Sequence, residues 1–254
     1  MDLGLEGRVA LVTGASGGIG AAIASAFAAE GARVALGYHT AEDQARRLAE
    51  RIGRSGGQAM AVRHDLAEPE SIDAAVEQVM GAWGRLDALV ASAWAAPEWL
   101  PPDTPAESVP AKTWREQLLV NVEGTAATVR AVLPPMRARR WGRIVLLSSG
   151  AADGAPGLEH YAAAKAALRG ISRSLAVSAG PSGILVNVIM PGLVPTPRHL
   201  REIPAPALEH MATQTPTRRL ATEKDVAGVA VFLASAANAS VTGTEIRVDG
   251  GRRG

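Results

Sequence analysis

Apolar residues in this chain come in short, dense runs. They read "RVALVTG" (8–14), "RVALGY" (33–38), "AMAVRHD" (59–65), "LDALVAS" (86–92), "RIVLLSS" (143–149), "ILVNVIMPG" (184–192) and "TEIRVDGG" (244–251). Several are continuously apolar rather than alternating, as strands covered on both faces are. Between them lie alanine-rich helical stretches at 20–30, 41–54, 69–83, 112–133, 161–179 and 224–236. Strand–helix alternation at this spacing predicts an α/β fold: a three-layer, doubly wound parallel sheet of about seven strands with helices on both faces. No repeat or linker interrupts the rhythm, so residues 1–254 read as a single domain.

Two segments break the pattern. Residues 94–112 hold five prolines and residues 191–216 hold six. Proline at that density is expected to exclude regular structure, which leaves lids, binding loops or tolerated surface insertions. Both follow strands directly, so both begin at the carboxyl edge of the sheet, where open α/β sheets bind ligands.

"VTGASGGIG" closes the first strand and opens the first helix. Gly14, Gly18 and Gly20, with Ile19 between the last two, let the backbone turn tightly and approach a pyrophosphate, and the helix N-terminus supplies N–H groups. Thr13 and Ser16 add hydroxyls. At the end of the second strand, where many NAD-binding units carry an acid for the ribose 2′-hydroxyl, the chain has Tyr38, His39 and Thr40. The first carboxylate is Glu42, on the next helix. Nothing in that stretch repels a 2′-phosphate and no arginine is placed to clamp one, so NADP(H) is expected over NAD(H); a merely solvated loop is the alternative. Asp65, followed by Leu66, ends the third strand and either accepts a hydrogen bond from an adenine amino group or turns the chain.

Tyr161 and Lys165 stand four apart with only alanine between. On a helix they share a face. A free tyrosine has a pKa of about 10, and a neighbouring ammonium favours the phenolate. Such a pair exchanges protons, a role that contributes roughly 10²–10⁴-fold in rate. The alternative is an exposed decoration. Ser148 and Ser149 end the fifth strand, and Asn121 sits inside a long helix where asparagine is mildly unfavourable.

Composition narrows the setting. The net charge is +1, so no long-range field points to nucleic acid or membrane. No apolar run approaches the roughly 20 residues that span a bilayer, and the N-terminus does not read as a secretory signal. The chain has no cysteine, hence no disulfide or thiolate metal site, and no metal is expected. Cytoplasm is the default setting.

With these motifs in place, the chain resembles the classical short-chain dehydrogenase/reductase family along essentially its full length, most closely the 3-oxoacyl-carrier-protein reductases and related ketoreductases. "TGASGGIG" matches the family's Thr-Gly-x-x-x-Gly-x-Gly turn and "YAAAK" its Tyr-x-x-x-Lys. Ser149, Asn121 and "PGLVPT" (191–196) fall where the family has its catalytic serine, helix asparagine and Pro-Gly cofactor loop, and residues 218–251 look like its C-terminal module. The resemblance implies a Rossmann fold and an NAD(P)H-dependent ketone–alcohol oxidoreductase. Tyr161 would be the general acid or base. Lys165 would lower its pKa and hold the nicotinamide ribose. Ser149, preferred to Ser148 by strand register, would stabilise developing negative charge, and Asn121 would hold a water leading to Lys165. Pro191, Gly192, Val194 and Thr196 would touch the cofactor. A homotetramer or dimer packed through 112–133 and 161–179 is implied as well. Non-redox dehydration or isomerisation at the same site, or a non-catalytic nucleotide-binding role, are the other function classes.

The chain departs from the family after its fourth strand, where Asn-Asn-Ala-Gly is usual. Ser92 stands at the position of an asparagine that braces the sheet, and Trp94 at that of a glycine. The arginine that many NADP-dependent relatives carry at the position of Gly17 is missing. Trp94 and Trp99 are expected either to line an apolar substrate pocket with the 191–216 segment, or to cover a sheet edge or subunit contact.

Overall fold

The computed structural model describes residues 2–96, 101 and 104–252. Seven parallel strands form one sheet in the order β3-β2-β1-β4-β5-β6-β7. They are β1 (Val9–Thr13), β2 (Arg33–Tyr38), β3 (Gln58–Arg63), β4 (Ala88–Ala91), β5 (Gly142–Leu147), β6 (Ile184–Pro191) and β7 (Glu245–Val248). Strand order reverses between β1 and β4, which places a ligand crevice at their carboxyl ends.

Helices cover both faces, as expected. α1 (Gly18–Ala29), α2 (Glu42–Arg54) and α9 (Glu223–Leu233) lie on one side; α3 (Pro69–Trp83), α5 (Gly124–Arg139) and α6 (Glu159–Ala179) lie on the other. Strand residues alternate between the two cores. Ala10 and Val12 pack with Ile23, Phe27 and Val226; Val9 and Leu11 pack with Val79, Val132 and Leu168. The continuously apolar runs are explained by this two-sided burial.

Two expectations change. The helix expected over 112–133 is α4 (Ala111–Leu118), a π-helical turn over Leu119–Glu123 and then α5, which continues past Pro134 and Pro135. The Pro-rich 191–216 segment is not irregular throughout. It contains α7 (His199–Glu202) and α8 (Ala205–Gln214). Pro204 caps α8 and Pro206 lies in its first turn, where no backbone N–H is needed for the helix ladder. Trp99 lies outside the described residues.

Candidate active site

The site is assembled at the carboxyl end of β5. Lys165 is buried, at 5% exposure, and its ammonium donates to the carbonyl of Leu147, the last residue of β5, at 2.9 Å. Ser148 donates its hydroxyl to the main-chain carbonyl of Lys165 at 2.9 Å. Ser149 points the other way: its hydroxyl accepts from the Ala151 N–H at 3.2 Å and lies close enough to the Tyr161 phenol to lower its pKa. One serine therefore fixes α6 to the sheet and the next meets the phenol.

Tyr161 and Lys165 do share a face of α6, with the ammonium 5.9 Å from the phenol ring centroid. The expected acidification of the phenol by Lys165 is not what the structure shows. Burial dominates and raises the Tyr161 pKa above its ordinary value, opposed only by Ser149. Burial also pushes Lys165 down, to about 8. Both groups lose water, and for both the neutral form gains. No carboxylate pairs with Lys165 among the described residues.

Asn121 lies in the π-helical turn. Its Oδ1 accepts from the Ala95 N–H at 2.9 Å, while Nδ2 donates to Gln117 Oε1 at 2.9 Å and to the Ala95 carbonyl at 3.3 Å. Its amide therefore holds the loop after β4. That loop carries Trp94, whose ring lies 5.6 Å from the Tyr161 ring at an interplanar angle of 56°. Trp94 keeps 36% of its surface exposed, so it lies against Tyr161 from the surface rather than filling the core. The Arg198 guanidinium sits over the same indole, 5.5 Å from its centroid.

The glycine turn runs along the same edge. A Cβ at Gly14, where φ is +67°, would lie 2.9 Å from Ala93 Cα, so no side chain fits there. Gly17 caps α1 without any side-chain bond, and its vacant side-chain position faces open space. First-turn N–H groups of α1 thus look onto an open cradle, which fits a dinucleotide pyrophosphate. Ser16 and Ile19 border it, both partly exposed. Thr196 closes it from above, its Cγ2 being 3.4 Å from where a Gly18 Cβ would sit. Gly192 donates its N–H to Val248, and Val194 is buried beneath the loop.

Thr13 has a different task from the one expected of it. Its hydroxyl oxygen is buried and accepts from the main-chain N–H groups of Ser92 at 3.1 Å and Ala93 at 3.0 Å. At the position where the family has its bracing asparagine, the hold on the chain thus comes from β1, and it grips backbone. Asp65 performs the turn role: Oδ1 accepts from the Ala67 N–H at 3.0 Å, and Oδ2 lies 3.0 Å from His39 Nε2. The Leu66 carbonyl occupies the space a Gly124 Cβ would need.

The end of β2 is more charged than its own sequence suggests. Burial first, then the neighbouring Glu42, raises the Tyr38 pKa. Arg46 from α2 bonds Glu42 at 2.7 Å, and Arg63 from β3 bonds Glu68 at 2.8 Å. Two arginines therefore reach this corner from neighbouring elements, and three carboxylates, Glu42, Asp65 and Glu68, come with them. Thr40 is exposed beside them. Arg46, Arg63 and Arg198 escaped notice in the sequence because the corner or ring that each meets includes residues of other elements.

Comparison with known proteins agrees with this geometry. The family model described as Enoyl-(Acyl carrier protein) reductase matches residues 14–253. The cis-4-hydroxycyclohexanecarboxylate dehydrogenase of Sinomonas cyclohexanicum is 38% identical over 247 residues, covering 96% of each chain. The 3-oxoacyl-[acyl-carrier-protein] reductase of Escherichia coli is 34% identical over 250 residues and 98% of each chain. A 7α-hydroxysteroid dehydrogenase solved with NADH and 7-oxo glycochenodeoxycholic acid superposes with a TM-score of 0.91 at 32% identity, over 100% of this chain and 97% of the other. The glycine cradle, the serine beside the tyrosine and the buried lysine on one sheet edge stand in a chain that belongs to the short-chain dehydrogenase/reductase family of NAD(P)-dependent oxidoreductases.

Proposed function

We propose that the chain interconverts a ketone and a secondary alcohol with NADP(H) as preferred cofactor and NAD(H) as a poorer one. The observation that carries this is the juxtaposition of Ser149, Tyr161 and the Trp94 ring beside the glycine cradle. The bound nicotinamide supplies or takes the hydride. Tyr161 gives a proton to the substrate oxygen in reduction and takes it back in oxidation. Ser149 donates to the same oxygen where negative charge develops. Lys165, already desolvated, holds the ribose hydroxyls and supports the phenolate as it forms. Asn121 acts as a positioning residue through Ala95, and Trp94 excludes water from the phenol's face. Gly14, Gly18, Gly20, Pro191, Gly192, Val194 and Thr196 shape the cofactor cleft.

NADP preference is supported by the lack of an acid at Tyr38 and by Arg46 and Arg63 nearby. A homotetramer or dimer is supported by an apolar groove of about 540 Å³ between α5 and α6, lined by Val129, Leu133, Gly170 and Ile171. No described helix is long and apolar enough to cross a membrane; a cytoplasmic setting belongs to the same reading.

The test is titration with NADPH and NADH, then a ketone and alcohol panel followed at the nicotinamide absorbance band. One cofactor consumed per alcohol formed is expected. Product formed without cofactor consumption overturns the redox reading in favour of dehydration or isomerisation. Sedimentation velocity checks the assembly.

A further inference from the structure

We propose that Arg198 recognises an anionic group on the substrate, so that the preferred substrates are compact cyclic ketones or alcohols bearing a carboxylate. The proposal rests on the ketone–alcohol reading above and adds the substrate class.

The guanidinium has three ways to be satisfied, and the structure accounts for two. Its face lies over the Trp94 indole, 5.5 Å from the centroid. Its Nε donates to Glu202 Oε1 at 2.8 Å, one helical turn on. The two Nη groups have no hydrogen-bond partner among the described residues, and the side chain is 33% exposed. A planar fork with a stacked face and an open outer edge is arranged for a two-oxygen anion.

Placement gives the size. The same Trp94 ring lies 5.6 Å from the Tyr161 ring and 5.5 Å from the Arg198 guanidinium. Proton donor and cation are therefore both neighbours of one indole. A substrate whose carbonyl reaches Tyr161 brings its anionic group to Arg198 if the two are about one ring apart. A flat or alicyclic ring also suits the indole wall.

The position is held. His199 Nδ1 lies 2.7 Å from the Val194 carbonyl and 3.2 Å from Thr196 Oγ1, and the Leu200 N–H donates to the Thr196 carbonyl at 3.0 Å. These contacts fix the residues flanking Arg198 against the cofactor loop. Of the other cations near the cleft, Lys165 is buried under the phenol. Glu202 takes up Nε alone and orients the guanidinium, which leaves the outer Nη edge aligned for a second carboxylate.

The probes are 4-oxocyclohexanecarboxylate and its methyl ester, used with the intact chain and its cofactor. The acid is expected to show a KM at least about tenfold below that of the ester, and Arg198→Met is expected to collapse that preference to about one, acting on KM far more than on kcat. Arg198→Lys should retain part of it. Equal handling of acid and ester by the unmodified chain overturns the proposal. So does an equal shift of both substrates in Arg198→Met, which would make the residue only a prop for Trp94. If neither ketone oxidises the cofactor, the ketone reading fails for these rings. Calorimetry of cyclohexanecarboxylate on the cofactor complex then decides the charge question. Binding weakened about tenfold in Arg198→Met supports it; binding absent or unaltered overturns it.

Discussion

The two edges of the sheet treat charge in opposite ways. At the amino edge, Asp87 is fully buried, yet it has Arg8 at 3.3 Å, Arg85 at 2.7 Å and the Val9 N–H at 2.9 Å. Burial works to raise its pKa, but these partners outweigh it and hold the carboxyl below the usual range. Arg143 is buried nearby and bonds the carbonyls of Ser235 and Asn238. Burial, then the charge of Arg8, lowers its pKa to about 10. Arg8 and Arg143 lie 3.9 and 4.4 Å from the same indole, that of Trp141. At the carboxyl edge, Lys165 has one carbonyl, and the Tyr161 phenol has one hydroxyl and an indole for company. One edge compensates its buried charges; the other leaves them poised. Stability and chemistry have been given separate ends of the same strands.

That contrast can be broken experimentally. The largest effect on rate should come from Tyr161→Phe, with turnover falling by roughly 10²–10⁴. Cofactor affinity and melting temperature should stay near those of the unmodified chain, as read by fluorescence titration and thermal melts. An equal loss of stability would erase the separation. Asp87→Asn should reverse the pattern, costing about 3–5 kcal/mol because two guanidinium groups and an N–H lose their partner. Denaturant unfolding measures it. Since the Asp87 pKa is depressed in the folded state, its contribution is present above about pH 4 and fades as pH falls further, so the variant should show a flatter acid limb.

A finer test is the alkaline limb. Burial pushes the Lys165 pKa down to about 8 in the folded chain, against its ordinary value of 10.5. Between these values the unfolded chain binds a proton that the folded chain does not. Folding stability should therefore rise with pH there, by about 1.4 kcal/mol per pH unit from this group. The rise should vanish in Lys165→Met. The smallest effect on stability should come from Arg46→Gln, an exposed pair whose loss leaves the melting temperature within about a degree. Its expected signature is selective: NADPH affinity falling about three- to tenfold while NADH affinity holds. Equal change for both cofactors would remove Arg46 from any part in discrimination.

Most of the architecture could be read from the chain because two-sided burial writes continuous apolar runs, and β1, β5 and β6 sit where those runs lie. The glycine turn and the Tyr161–Lys165 pair were legible too, since a close backbone approach and a shared helix face each force local residue types. What sequence pattern hid is long-range. Asp87, Arg8 and Arg143 meet across three strands. Arg46 and Arg63 converge on Tyr38 from two elements, and Arg198 finds Trp94 across about a hundred residues. Prolines misled over 191–216, because density was read without position: a proline in a first turn helps begin α8. The sign of the Tyr161 shift was also hidden, since charge proximity is visible in spacing and desolvation is not.

The hydroxyl of Thr13 has one more consequence. It holds the segment after β4 by two amide hydrogens, at residues 92 and 93, rather than by any side chain. Every residue except proline presents the same hydrogen there. The attachment is thus blind to what the segment spells, and a scaffold built this way can trade one wall of its cleft for another, a tryptophan for a glycine, without renegotiating how that wall is fastened.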